Sequence, residues 1–455
     1  MIGKFINRVF GKTPAAAAPA ATPCLIPRAD HGIGRELLSP CALKVIRELQ
    51  QAGFKAFIVG GAVRDLLMGA RPKDFDVATD ATPEEVRALF RRSRIIGRRF
   101  TLVHVLCGQE TIEVSTFRGH RVGGEDDAQG GEHRADENGR LLRDNVFGTQ
   151  EEDAARRDFT VNALYYDPAS ETIWDCHGGY RDARARVLRM IGEPEIRYRE
   201  DPVRMLRGVR LAAKLDFHIE EKTRSPVAEL APLLRNVPNA RLFDEMVKLL
   251  LSGHALRSVH QLRAEGLHHG LLPLLDVILE QPEGERFVTF ALKNTDERVR
   301  ADKPVSPAFL FATLLWHQVL LTWRALERQG AKPMPALFEA METVLHAQQE
   351  QLLIPRRFDA IMKEIWGLQP RFDHRSGARP YRLLAHPRFR AAFDFLVLRA
   401  QSGEIDPSLA AWWEQFQGEG EAERASMLLP EARPKRRRRP RRKDAAATDA
   451  VPPQL

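Results

Sequence analysis

Cysteine is scarce in this 455-residue chain: Cys24, Cys41, Cys107 and Cys176 lie far apart, with no C-x-x-C pair. That spacing disfavours a structural zinc site or a disulfide scaffold and predicts a reducing, cytoplasmic setting. Aromatic residues make up only 7%. No apolar run approaches the roughly eighteen residues of a membrane-spanning helix. The N-terminal MIGKFINRVFGKTPAAAAPAATP has no continuous apolar stretch, so no secretory signal is expected. Gly11-Lys12-Thr13 looks like the end of a P-loop, but Ile6 stands where that motif needs glycine. His268-His269 lacks carboxylates at metal-ligand spacing, and Trp412-Trp413 reads as helix packing.

Basic charge, by contrast, is present and unevenly spread. The segment 433–443, RPKRRRRPRRK, carries nine basic residues and no acid. Those nine exceed the whole net charge of +8, so the remainder stands at −1. A like-charged block of this kind cannot bury enough apolar surface to fold, and a disordered tail is expected over 431–455. Arg436, Arg437, Arg438, Arg439, Arg441 and Arg442 are its candidate contacts to RNA phosphates, since neutralising phosphates releases counterions.

Periodicity divides the rest. Residues 1–38 read as an N-terminal extension and linker; Ile2, Phe5, Ile6, Val9 and Phe10 share a helical face suited to weak membrane-surface or partner contact. Residues 39–197 alternate helix and strand, the signature of an α/β head with a mixed sheet. A helix from Cys41 stops at Gly53, FKAFIV follows as a strand, and AVRDLLM is a short helix closed by Gly69. Thr82-Pro83-Glu84-Glu85 is a capping box with proline at the first helical position. TLVHVLC and TIEVSTF read as a hairpin around Gly108, and the Gly-rich 119–140 as a long loop. Beyond 198 the pattern is helical, giving a neck over 198–270 and an all-α body over 271–430.

Asp74-Phe75-Asp76, in the expected strand KDFDVAT, puts two carboxylates on one strand face. Such a pair repels itself unless cations or donors compensate, and hard divalent ions on carboxylates are the usual arrangement for phosphoryl or nucleotidyl transfer. Upstream, Gly60-Gly61-Ala62-Val63-Arg64-Asp65 forms a strand-turn-helix whose glycines permit close approach to a phosphate. Glu113 becomes a third acid if its strand lies beside that of Asp74 and Asp76. Arg118 could meet a phosphate or cap the sheet edge. Arg156, Arg157, Asp158 and Asn162 form a polar cluster whose guanidinium forks suit triphosphate oxygens. Asp201 precedes Pro202 as an expected N-cap, one turn from Arg204, and the two together could face a base edge.

FIVGGAVRDLLMGARPKDFDVATDATPEEV, RRDFTVNALYY and REDPVRMLRGVRLAAKL, over roughly residues 54–215, resemble the class II nucleotidyltransferases, which comprise bacterial poly(A) polymerases and CCA-adding tRNA nucleotidyltransferases. FRGHR, NGRLLRDNVFGTQEEDAARRDF, KNTDERVRADKPVSPAFLFATLLW and the arginine-rich tail look like the poly(A) polymerases rather than the CCA-adding enzymes. No His-Asp dipeptide occurs, so the HD domain of some CCA-adding enzymes is absent. The resemblance implies template-independent addition of AMP from ATP to RNA 3′ ends, marking RNA for decay. It implies Gly60, Gly61 and Arg64 on the triphosphate, and Asp74 and Asp76 on two Mg²⁺ ions, with Mn²⁺ as the alternative metal. Arg157, Asp158 and Asn162 would line the nucleotide, and Asp201 and Arg204 would face the base. Glu113 and Asp158 both stay as candidates for the third acid. Implied partners are RNA 3′ ends and RNA-decay proteins, and the enzyme is expected to be a monomer. The rivals are a CCA-adding enzyme and a non-catalytic RNA-binding protein.

Overall fold

The computed structural model describes residues 23–97, 101–119, 133–135, 141–144, 146–268, 281–350 and 352–430. The N-terminal helical face, most of the Gly-rich loop, His269 and the arginine-rich tail lie outside these residues. The chain divides into two compact units, residues 1–363 and 364–455.

The first unit is built on an eight-stranded sheet. Its strands are β1 (Cys24–Pro27), β2 (Ala56–Val59), β3 (Asp76–Thr79), β4 (Ser93–Ile96), β5 (Leu102–Cys107), β6 (Glu110–Thr116), β9 (Leu164–Asp167) and β10 (Thr172–Asp175), in the order β1-β10-β9-β2-β3-β6-β5-β4. A separate ribbon pairs β7 (His133–Ala135) with β8 (Leu141–Asp144). The edge strand β1 comes from inside the segment read as an extension. Every neighbouring pair in the large sheet is antiparallel except β3 and β6, which run parallel. The return from β3 to β6 passes through a helix and the strands β4 and β5, which is the crossover a parallel pair requires.

The local signals act as their chemistry dictates. After the one-turn α1 (Arg28–His31), helix α2 (Pro40–Gln51) starts at Ser39, whose hydroxyl accepts from the backbone N–H groups of Cys41 and Ala42. It buries Ala42, Val45, Ile46 and Leu49 at helical spacing. Gly53, at φ +93°, takes the left-handed turn beyond it. Helix α3 (Gly61–Leu67) follows β2, and α4 (Pro83–Leu89) opens on the complete Thr82–Glu85 capping box. Helix α5 (Gln150–Arg156) precedes β9, and α6 (Gly179–Ala185), α7 (Pro194–Glu200) and α8 (Val203–Leu215) follow β10. One sheet face packs Ile58, Val77, Ile112 and Val114 against α2 and α4. The other carries Phe57, Val59, Ala78, Phe117 and Tyr165, and the cleft forms on this second face.

Two expectations need correction. Cys41, in the first turn of α2, and Cys107, at the end of β5, form a disulfide across a separation of 66 residues. Their spacing carries no signal of this, because the pairing follows from packing the helix on the hairpin. Asp74 precedes β3 rather than lying in it, since the strand begins at Asp76. Strand alternation therefore does not set the Asp74 side chain beside that of Asp76.

The first unit continues into helices. Phe243, on the helix Asn239–Leu250, stacks on Phe311 at 5.4 Å and on Phe358 at 5.5 Å. The 22-residue helix Pro307–Arg328 is long and apolar enough to cross a membrane, yet Phe311, Leu314, Leu315 and Trp316 are buried in protein. In the second unit, Trp413 is fully buried and donates to the Phe372 carbonyl at 2.9 Å, while Trp412 stacks on Phe416. Trp413 is core and Trp412, half-buried, packs against it, the helix packing that the sequence suggests.

Candidate active site

At the head of β3, Asp76 lies directly opposite Glu113 of β6 in the parallel register. Both acids emerge on the second sheet face, because Val77, Ile112 and Val114 turn into the first core. Asp76 stays open to water on one side but is crowded by protein on the others. That crowding, then the charges of Glu113 and Asp74, raise its pKa to about 6 against the pull of Arg157. Negative charge is thus under-compensated here. Among the described residues, no group of three His, Cys, Asp or Glu side chains is gathered as a metal cage.

The β2–α3 turn makes the adjoining wall. Gly60 adopts φ +71° and ψ −128°, a conformation open to glycine alone. A Cβ there would come within 3.3 Å of an Arg157 nitrogen and 3.6 Å of the Asn162 carbonyl oxygen. The buried Arg64 of α3 donates to Asp65 at 2.6 and 2.9 Å and to the Asn162 side-chain oxygen. Asn162 in turn donates to Asp158 at 3.1 Å, and Asp158 pairs with Arg207 of α8 at 2.7 Å. Burial alone would raise the Asp158 pKa. Arg207, together with hydrogen bonds from Asn162 and the Phe159 N–H, outweighs burial and lowers it. Asp158 is therefore a committed anion in a relay from α3 to α8, whereas Asp76 and Glu113 stand side by side.

Helix α5 brings in a residue that sequence reasoning missed. Asp153, almost fully buried, accepts from the Tyr165 hydroxyl at 2.6 Å and from Arg157 at 3.0 and 3.2 Å. It also accepts from the Arg118 backbone N–H at 3.2 Å. Arg157 is half-buried, which disfavours its charge, but Tyr165 and Asp153 more than offset this and raise its pKa. Sequence could have marked Asp153 only by its i,i+4 spacing to Arg157.

The third wall comes from α7 and α8. Asp201 does not cap α8 with its side chain; Arg241, from the helix Asn239–Leu250, holds the carboxylate by two bonds of 2.6 and 2.7 Å. Arg204 donates to Glu200 and to the Arg197 carbonyl. Arg197, another residue the sequence left unmarked, bonds the carbonyls of Arg156 and Arg157. Burial and neighbouring arginines push both Arg156 and Arg197 down to about 10. Arg118 joins the lining, its pKa lowered by burial.

These walls enclose a cleft of about 640 Å³, ample for a nucleoside triphosphate. Nine arginines and Lys214 line it against six carboxylates, so the cleft is cationic although the chain outside its tail is near neutral. Cations crowded until their own charge is disfavoured favour a polyanionic ligand. Of the sequence-derived candidates, Gly60, Gly61, Arg64, Asp76, Glu113, Arg157, Asp158, Asn162, Asp201 and Arg204 all line it; Asp74 does not, and acts on Asp76 through its charge.

The fold is similar to that of a Thermotoga maritima CCA-adding enzyme complexed with tRNA, which matches 87% of this chain and 88% of its own, with TM-score 0.55 at 17% identity. Family models described as the poly A polymerase head domain, a probable RNA and SrmB-binding site of polymerase A, and the polymerase A arginine-rich C-terminus match residues 56–189, 216–279 and 329–444. Poly(A) polymerase I of Salmonella typhimurium is 46% identical, with 97% of each chain covered. A CCA-adding enzyme of Enterococcus faecalis is 40% identical over only 46% of this chain and 48% of its own. The chain belongs to the poly(A) polymerase family.

Proposed function

We propose that the cleft transfers AMP from ATP to RNA 3′ ends without a template. The observation that carries this reading is the register of Asp76 against Glu113 on the floor of an arginine-lined cleft, in a chain that matches a poly(A) polymerase over 97% of its length. The 3′-hydroxyl oxygen of the RNA bonds to the α-phosphorus, the α–β phosphoanhydride bond breaks, and pyrophosphate leaves.

The donor set fits divalent metal: hard carboxylates at a place where burial, and then the charges of Glu113 and Asp74, raise the Asp76 pKa. Asp76 and Glu113, with Asp74 nearby, would hold Mg²⁺ or Mn²⁺, which supplies Lewis-acid stabilisation of the ionised hydroxyl and the departing pyrophosphate. Gly60 and Gly61 let the triphosphate approach the backbone, where Arg64 and Arg157 meet its oxygens. Asp158, tied to Asn162 and Arg207, keeps the nucleotide wall in place, and Glu113 is the third acid. Asp201 and Arg204 face the base, with Arg241 fixing the carboxylate. Arg436, Arg437, Arg438, Arg439, Arg441 and Arg442 hold RNA phosphates, raising the local concentration of 3′ ends. In the cell this is a cytoplasmic monomer that marks RNA for decay.

Primer extension with ATP, CTP, GTP and UTP supplied singly tests the reading, on an unstructured RNA and on a tRNA lacking its terminal CCA. Long extension of both RNAs with ATP alone supports it. Addition of two cytidines to the tRNA from CTP alone, with ATP alone extending neither RNA, would identify a CCA-adding activity instead.

A further inference from the structure

His104 lies on β5 directly opposite Glu113 of β6, just as Glu113 lies opposite Asp76 of β3. The three residues form one row across three neighbouring strands, spaced by the width of a strand. Val103 and Val105 are buried in the first core, so His104 projects on the cleft side with the two acids. Its Nε2 lies 3.1 Å from Glu113 Oε1. A carboxylate can only accept, so this bond requires the proton on Nε2. Both side chains remain partly open to water, 30% for His104 and 49% for Glu113. An unheld glutamate in such a place would sample many rotamers.

We infer that His104 is a positioning residue for the metal: by donating to one Glu113 oxygen it fixes the carboxylate on the cleft side of β6, in line with Asp76. The inference rests on the reading of Glu113 as a metal ligand and adds the residue that orients it. Hydrogen-bond partners of this kind behind a metal ligand typically govern affinity by about 10- to 100-fold.

Mn²⁺ binding tests this without relying on turnover. The full chain, with a non-hydrolysable ATP analogue, is titrated with Mn²⁺ and free metal is read by electron paramagnetic resonance. His104→Val keeps a good strand former but removes the donor, and should raise the Mn²⁺ dissociation constant about 10- to 100-fold. His104→Gln restores an N–H donor and should stay within about threefold of wild type, since the donated hydrogen bond is what matters. Glu113→Gln should weaken binding at least as much as His104→Val. If Glu113→Gln weakens binding but His104→Val does not, the role given to His104 is wrong while Glu113 stands. If His104→Val and His104→Gln lose affinity equally, donation from the ring is not what matters and the inference fails. Wild-type Mn²⁺ affinity in Glu113→Gln would remove Glu113 from the metal site, and the inference with it.

Discussion

Replacing Asp153 with Asn should injure both stability and nucleotide binding, although Asp153 need not touch the substrate. The change preserves size but removes the charge that Arg157 and Tyr165 share. The Asp153 side chain is 9% exposed and that of Arg157 is 22% exposed. Breaking a well-buried pair costs about 3–5 kcal/mol, and the residual exposure of Arg157 points to the lower end, about 3 kcal/mol. At roughly 2 °C per kcal/mol for a unit of this size, the melting temperature should fall by about 6 °C. Arg157, released from its anchor, should swing from its place beside Asp76 and Gly60, and kcat/KM for ATP should fall about 10- to 100-fold, or roughly 1.4–2.7 kcal/mol. Thermal melts and steady-state kinetics at saturating RNA read both effects. A variant that melts within a degree of wild type with unchanged kinetics would refute the argument.

Other outcomes follow from the same geometry. Glu113→Gln should lose activity that raised Mg²⁺ partly restores. Asp158→Asn should not respond to metal and should also lower the melting temperature, because Arg207 loses its partner; magnesium titration with thermal melts separates the two. Unfolded without reductant, the protein should yield two reactive thiols, Cys24 and Cys176, by thiol titration. Reduction of Cys41–Cys107 should lower stability by up to about 4 kcal/mol on loop entropy alone. Deleting residues 433–455 should raise the KM for RNA and leave turnover at saturating RNA unchanged. The same deletion should flatten the salt dependence of binding by about 0.7 for each phosphate the tail no longer neutralises. Equal affinity and equal salt slope in filter binding would show the tail to be inert.

What was legible in the sequence is what local chemistry determines. The Thr82 capping box, the turn at Gly53, the hairpin at Gly108 and the Gly60-Gly61 turn each follow from a few adjacent residues. Glu113 could be proposed because its strand pattern was clear, but its place beside Asp76 depends on a parallel pairing across 37 residues. Asp201 illustrates the limit. Its position before Pro202 correctly marks a helix start, yet its side chain is claimed by Arg241, forty residues away. Asp153 hid among the acids of α5, where Glu151 and Glu152 look equally suitable until Tyr165 and Arg157 fold over one of them. The Cys41–Cys107 bond has the same origin, since only packing of α2 on the hairpin brings the two together.

If Asp76, set against Glu113, makes the cleft a centre for transferring AMP to RNA, loss of its carboxylate must stop incorporation. Single-turnover incorporation of labelled AMP, comparing wild type with Asp76→Asn at saturating ATP, RNA and Mg²⁺, tests it most directly, with thermal melting as the check on folding. The substitution removes an acid whose pKa is already raised, so the protein should remain folded at neutral pH. Loss of at least about 100-fold in rate, roughly 2.7 kcal/mol of barrier, is the predicted result. A folded Asp76→Asn protein that adds AMP within about tenfold of wild type, less than roughly 1.4 kcal/mol, would contradict the account.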